Sequence, residues 1–465
     1  MNNVDQLLIR HEARSPQGQE ALQHYAAAVG RMKERDPGTP TSWAYQAAIH
    51  GTESHPLSLQ KQCEHESWFF FPWHRIYLYY FERIVRQAVV ETGGPAEWTL
   101  PDWNYDFDRA HAALPEPFYQ PADASNPLYV ANRTPRYNEG KPLPKLLQAE
   151  EEALALREFI GNAMFGGGNR SPHRPRFWGQ MGLPELSPHG TVHVEIGGWM
   201  RNPEEAAQDP IFWLHHSNID RIWAVWNEGK GGSNPNESGW TGHEFHFFDA
   251  DGRPAGKRCG QVTETRLLGY TYDPPPGGTV GEVAPTPSQP PTPAPGAPEE
   301  PKFVGASEEP IALTGESVEV PVEIDPRARE EVLAAADPED PRHLYLNVEE
   351  IRGERNPGRV YAMYLNLPHD PDSAEYDKHH VGNLAFFGIE RTTKPDDDEA
   401  PHGMRFSVEV GDLVRALRDD SDWDREGLRI CFRPVFPGEA EGEPRDDGHE
   451  HAPVEIGRVS LSIDA

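Results

Sequence analysis

The segment from Pro188 to Trp226, PHGTVHVEIGGWMRNPEEAAQDPIFWLHHSNIDRIWAVW, sets four histidines in apolar sequence, and nothing else in the chain restricts its fold as much. His189 and His193 are four residues apart, so on a helix their imidazoles converge on one face. His215 and His216 lie in a run (Ile211, Phe212, Leu214, Ile219, Ile222, Trp223) whose apolar spacing predicts a buried helix. Helix neighbours point about 100° apart, so only one of that pair can face a metal ion. A second set lies upstream: His50 in SWAYQAAIHG, His65 in CEHESW and His74 in FFFPWHRIYLYYFER. A single histidine in such surroundings is ordinarily a hydrogen-bonded core residue, but that description fails for two gathered sets. Two sets of three imply two metal ions. All-imidazole sites without carboxylates or thiolate pairs suit copper, zinc, iron or nickel, and spacing does not choose among them.

The pieces SWFFFPWHRIYLYYFER, HGTVH and DPIFWLHHSNIDRIW resemble the two copper-binding signatures of the type-3 copper proteins: tyrosinases, catechol oxidases and molluscan haemocyanins. The resemblance runs over residues 40–272. It implies two copper ions as cofactors, the first held by His50, His65 and His74 and the second by His189, His193 and His216, with His215 a non-ligand neighbour. Cys63 precedes His65 by two residues and resembles the cysteine that fungal tyrosinases join to the histidine ring, which implies a Cys63–His65 thioether; read alone, Cys63 is a small buried thiol. Glu185 matches a glutamate of the plant enzymes, and Gly190 stands where efficient monophenol-hydroxylating relatives carry asparagine. The resemblance makes these two the catalytic pair that governs loss of the phenol proton. Pro203 aligns with the gating phenylalanine of plant enzymes, which implies a more open pocket. Asp209, Asn218 and Asp220 flank the last ligand, as groups that fix histidine tautomers or as ordinary caps and salt bridges. Tyr270 and Tyr272 resemble the family's Tyr-x-Tyr element, which packs near an N-terminal arginine; Arg10 is the candidate here.

At 465 residues the chain exceeds one compact core and predicts two domains or more. Helical periodicity is expected over 18–35, around His50, over 73–92 and over 143–159, with long surface loops between Ala96 and Asn138. Four ligand-bearing helices fit a bundle with the metals in its core. The stretch from Asn227 to Gly269 reads as irregular surface structure. Pro274 to Pro301 is dominated by Pro, Gly, Thr, Ala and Glu and predicts an extended, cleavable linker. Beyond it VEVPVEI, HLYLNVEEI, RVYAMYLNL, NLAFFGI, MRFSVEV, LRICFRPVF and RVSLSI alternate with turns, the pattern of an antiparallel sandwich. The expected class is therefore α+β: a mainly α-helical four-helix-bundle dicopper domain (1–273), a Pro-rich linker (274–301) and an antiparallel β-sandwich (302–465). The sandwich resembles the C-terminal domain that keeps plant and some bacterial polyphenol oxidases latent, which implies a side chain plugging the pocket; Tyr361 and Tyr364 are the candidates.

The formal charge of −32, from 43 basic and 75 acidic residues, leaves no basic footprint for nucleic acid or anionic membranes. Asp396–Glu399 and the tail around residues 446–451 read as solvated charge, and the pair His379–His380 as a surface loop. Cys63, Cys259 and Cys431 are too few for a disulfide framework. No apolar stretch is long enough to span a membrane. No signal peptide is evident at the N-terminus, so the expected location is the cytoplasm, or export by a route the sequence does not show. The expected partners are a small phenol and O2, with no membrane or nucleic acid. The activity implied by the resemblance is oxidation of o-diphenols to o-quinones. The alternatives are monophenol hydroxylation or o-aminophenol oxidation on the same site, or an oxygen carrier of haemocyanin type; a di-zinc hydrolase is disfavoured because neither set contains a bridging carboxylate.

Overall fold

The computed structural model describes residues 7–51, 62–145, 149–160, 164–168, 181–273, 302–337, 340, 342–369, 371, 373–394, 403–419, 428–435 and 452–464. The expected linker 274–301 and the two acidic runs lie outside these. The chain divides into two compact units, Met1–Trp178 with Gly182–Thr279, and Gly179–Met181 with Val280–Ala465.

The first unit is helical. Helix α1 (Pro16–Lys33) begins where the Ser15 hydroxyl accepts from the Gly18 amide at 3.0 Å, with proline at the first helical position. Helix α2 (Trp43–His50) starts the same way, Ser42 accepting from the Tyr45 amide at 3.1 Å. Helix α3 (Phe70–Glu91) buries Phe70, His74, Tyr77, Phe81, Ile84 and Ala88 along one face and packs on α1. A single turn, α4 (Pro135–Asn138), and a short helix, α5 (Glu150–Ala155), precede the second histidine segment. That segment is a wide turn, Glu185–Gly190, running into helix α6 (Thr191–Ile196). Helix α7 (Ile211–Ala224) is buried at every residue and crosses α3. Thus α2, α3, α6 and α7 carry histidines into one core, while His65 arrives on a non-helical stretch.

Three expectations are corrected here. The helix predicted over 143–159 is confined among the described residues to α5, because Pro142 and Pro144 bound its start and Phe159 turns in against Phe71, Trp226 and Trp240. The stretch from Ala96 to Asn138 is irregular but not superficial: Trp98, Trp103, Tyr105, Phe118, Leu128 and Tyr137 are buried. Its backbone needs are met locally, for instance by the Arg133 guanidinium, which donates to the carbonyls of Phe118 and Leu128. The stretch after Asn227 likewise holds a buried Trp240 and an antiparallel hairpin, β2 (Glu244–Phe248) with β3 (Pro254–Arg258); strand β1 (Leu8–Arg10) pairs in parallel with β4 (Tyr270–Tyr272).

The second unit is an antiparallel sheet of β5 (Lys302–Ala306), β6 (Ile311–Leu313), β7 (Val318–Ile324), β8 (His343–Arg352), β9 (Tyr361–Leu365), β10 (His380–Leu384), β11 (Met404–Glu409), β12 (Leu428–Pro434) and β13 (Val454–Asp464). The order is β10-β9-β12-β7-β5-β13-β8-β11, with β6 on β13. Only two registered pairs, Gly305–Ile324 and Ala306–Glu323, join β5 to β7, so the sheet divides there into two halves. The halves close on each other: a Cβ placed on Gly382 of β10 would lie 3.7 Å from the Phe406 ring of β11, at the far end of the path. This is the expected sandwich. His379, read as a surface residue, is instead buried, its Nδ1 2.7 Å from the Leu365 carbonyl.

Candidate metal centre

The two sets assemble as two adjoining clusters. His50, His65 and His74 form one and His189, His193, His215 and His216 the other; within each, candidate ligand nitrogens lie within 4.8 Å of one another. The clusters face each other across the pair His74 and His216, whose rings stack at 4.4 Å and 9°, and across His65 and His189 at 5.6 Å. Phe70 packs on His74 and His189, and Phe212 on His50 and His216, so aromatic carbon surrounds the site.

Main-chain carbonyls aim the rings. Nδ1 of His50 donates to Pro203 (2.7 Å), of His74 to Phe70 (2.8 Å), of His189 to Glu185 (2.8 Å) and of His193 to Met200 (2.7 Å). With Nδ1 protonated, each neutral ring presents the Nε2 lone pair inward. For His74 that atom is buried with no hydrogen bond, and Nε2 of His193 lies 3.3 Å from Nε2 of His216. Burial lowers the pKa of His74, His193, His215 and His216 well below the usual value, and that of His189 to about 3. Uncharged imidazoles with inward lone pairs are metal ligands in waiting, and the donor set, all nitrogen, fits copper. His215 lies beside the His189 main chain and the Tyr105 ring.

Three carboxyl groups close the picture. Glu185 is buried, not solvent-exposed; its Oε1 accepts from the Glu66 amide at 2.7 Å, and burial raises its pKa well above the usual value. Glu64 and Glu66, on either side of His65, are buried too, and burial, then the neighbouring Glu185, raises Glu66. Neither was singled out in the sequence, although two acidic residues inside an otherwise aromatic ligand segment are the signal. Gly190 follows His189 at the entry of α6 and offers no side chain. Cys63 is buried and forms no disulfide. Pro203 is buried, and its carbonyl holds His50, a role its alignment did not suggest.

The residues flanking the last ligand act on helices rather than on rings. Asp209 accepts the Ile211 amide at the start of α7 and takes both arms of the buried Arg133 (2.8 and 2.6 Å). Asn218 accepts from Arg221 at 2.8 Å. Asp220 receives Arg75, Arg10 (3.2 Å) and the hydroxyls of Tyr270 (2.5 Å) and Tyr272 (2.6 Å), while Arg10 also donates to Glu82 and lies 3.9 Å over the Tyr270 ring. Burial alone would raise the Asp220 carboxyl; the two guanidiniums and two phenols outweigh it and hold it below the usual range. Arg10 is therefore the partner of Tyr270 and Tyr272, and the knot ties α7 to α3 beside His216 and His74.

The family model described as the common central domain of tyrosinase matches residues 40–229, and a domain family of unknown function, DUF7868, matches 300–463. A tyrosinase of Hahella sp. (strain CCB-MM4) is 32% identical over 95% of this chain and 96% of its own length. The chain belongs to the tyrosinase family. A chloroplastic polyphenol oxidase of Malus domestica is 29% identical over 53% of this chain and 45% of its own length, so the match to that plant enzyme spans about half of it. The solved structure of latent apple tyrosinase shares the fold over 99% of this chain and 98% of that one, at 23% identity and a TM-score of 0.64. Latent aurone synthase, a polyphenol oxidase, does so over 99% and 90%, at 22% and 0.66. Family and donor geometry together make this a dicopper centre of a type-3 copper oxidoreductase acting on phenols with O2.

Proposed function

We propose that the enzyme oxidises o-diphenols to o-quinones, is a poor hydroxylator of monophenols, and is held latent by its C-terminal unit. The ligand roles are those the resemblance implied: His50, His65 and His74 for one copper, His189, His193 and His216 for the other. Two copper ions held there supply the reversible one-electron steps that protein side chains lack. The chain's own part is to keep the imidazoles neutral by burial, to aim them through four carbonyls, and to exclude water with Phe70 and Phe212. Two catechols give up four electrons and four protons, which balances reduction of one O2 to two waters.

The observation that carries the diphenol preference is Gly190. A catechol is already an acidic, chelating pair of oxygens, whereas a monophenol must first lose its proton. No side chain at position 190 can share a water with Glu185, whose Oε1 is taken by the Glu66 amide. One hydrogen bond between uncharged groups contributes about 0.5 to 1.5 kcal/mol, or about two- to tenfold in rate if made only in the transition state. Latency is supported by the fold shared with proteins described as latent. Both plug candidates are engaged inside the C-terminal unit: the Tyr361 hydroxyl accepts from the Gly315 amide at 2.7 Å, and the Tyr364 ring packs against Tyr376 and His380. Oxygen uptake with a catechol and with a tyrosine-like monophenol, before and after cleavage within 274–301, tests both claims. Cleavage should raise catechol turnover at least about tenfold, equal to about 1.4 kcal/mol of docking. Unchanged turnover, or equal rates on the two phenols without a lag, would refute the corresponding claim.

A further inference from the structure

We infer that Glu185 is a positioning residue that joins the two halves of the metal centre, holding the His65 loop from the segment that carries His189. The inference rests on the reading of His65 as a ligand of the first copper.

Glu185 touches both halves at once. Its main-chain carbonyl accepts the Nδ1 proton of His189 at 2.8 Å, which aims a ligand of the second half-site. Its side-chain Oε1 accepts the amide of Glu66 at 2.7 Å, across 119 residues of sequence, and Glu66 is the residue directly after His65. That amide needs holding. Glu66 has φ +55°, one of three non-glycine residues among those described with a left-handed backbone. Such a conformation costs about 1 kcal/mol or more and persists only where surroundings enforce it. The loop also lacks the support of a helix: His50, His74, His189, His193 and His216 stand on helices or a wide helical turn, and His65 does not. The Glu66 side chain is buried as well, so the amide has no ready exchange for water.

The chemistry of the bond separates this role from a proton-handling one. An amide side chain of the same length accepts an N–H as a carboxylate does, but it takes up no proton. A hydrocarbon does neither, and a carboxyl group shorter by one methylene keeps the same acceptor oxygens but falls short of the Glu66 amide. Glu185→Gln should therefore keep the loop in place, whereas Glu185→Leu and Glu185→Asp should release it. Removing the side chain at the strained position, in Glu66→Gly, should lessen the need for Glu185, because glycine adopts a left-handed backbone without cost.

The experiment measures copper per chain by elemental analysis on full-length, copper-reconstituted protein, together with hydrogen exchange at the Glu66 amide. Wild type and Glu185→Gln should hold two coppers and a protected amide. Glu185→Leu and Glu185→Asp should drop towards one copper and lose the protection, and adding Glu66→Gly to either should restore part of the lost copper. If Glu185→Leu does not fold, Glu185→Asp alone decides the matter, since it keeps the carboxyl group. Two coppers and a protected amide in Glu185→Asp would overturn the inference, as would Glu185→Gln losing copper as fully as Glu185→Asp. A wild-type chain that takes up fewer than two coppers would instead refute the dicopper reading itself.

Discussion

At the scale of single residues the centre divides into what side chains announce and what the main chain supplies. The histidines were legible because ligands must be particular side chains at particular spacings, and the two motifs preserve both. The carbonyls of Phe70, Glu185, Met200 and Pro203 were not legible, since any residue type presents the same oxygen. His74 shows the division well, its Nδ1 spent on Phe70 and its Nε2 buried with no hydrogen bond. His74→Ala should therefore lower copper from two per chain to one, read by elemental analysis, while a thermal melt checks that the fold survives loss of the bond to the Phe70 carbonyl. Retention of both coppers would remove His74 from the ligand set. At position 190 the expectation runs the other way. Gly190→Asn supplies the missing amide and should raise the ratio of monophenol to diphenol turnover by about two- to tenfold, the effect of one hydrogen bond made in the transition state. Initial rates on a matched pair of phenols measure it. The thioether implied for Cys63 and His65 is a covalent claim: a peptide carrying both residues should weigh two hydrogens less than its unlinked form, and an alkylatable Cys63 in active enzyme would exclude the bond.

Elements were legible where periodicity ran long and illegible where burial came without it. Helices α1, α2, α3 and α7 follow their apolar spacing, but the segment between Ala96 and Asn138 buries aromatic and aliphatic anchors on a backbone of turns, and polar turn residues concealed the burial. The turn between α6 and the stretch holding Met200 shows what such irregular structure does for the centre. Gly197 and Gly198 have φ of +71° and +56°, and a Cβ on Gly198 would sit 2.3 Å from the Asn132 carbonyl oxygen. This bend brings the Met200 carbonyl back to His193, seven residues earlier. Gly198→Ala adds the cost of a left-handed alanine, about 1 to 2 kcal/mol, and a steric clash with main chain that cannot yield. The expected outcome is a lower melting temperature together with selective loss of the second copper, measured by calorimetry and metal analysis. An unchanged copper content would mean that His193 is held without the bend.

Across the whole catalytic unit, the groups that tie its parts together carry more acid than base. Around Arg221 of α7 stand Asp102, 3.6 Å away, Glu150 of α5, and Asp106; Glu12 reaches the cluster from the N-terminal segment, with His111 3.6 Å from it. Burial pushes the Asp102 carboxyl up to about 7 against the pull of Arg221, and burial with the nearby Glu150 pushes Asp106 up to about 8. The sign of the consequence follows from linkage. Below about pH 4 folded and unfolded chains both hold these protons, and the contribution to stability is complete. Between that pH and the folded values the unfolded chain ionises first, so the folded state binds more protons and loses stability as pH rises through 7 to 8. The melting temperature should therefore fall between about pH 4 and about pH 8. Self-repulsion in a chain of net charge −32 acts in the same direction, so wild type alone does not isolate the cluster. Asp106→Asn does, because an amide at that position remains neutral at every pH and the net charge changes by only one. The variant should lose less melting temperature than wild type over the same interval, with little difference between them at the acid end. Parallel curves for the two proteins would show that the proton on Asp106 is not coupled to folding and that the cluster is balanced by Arg221 alone.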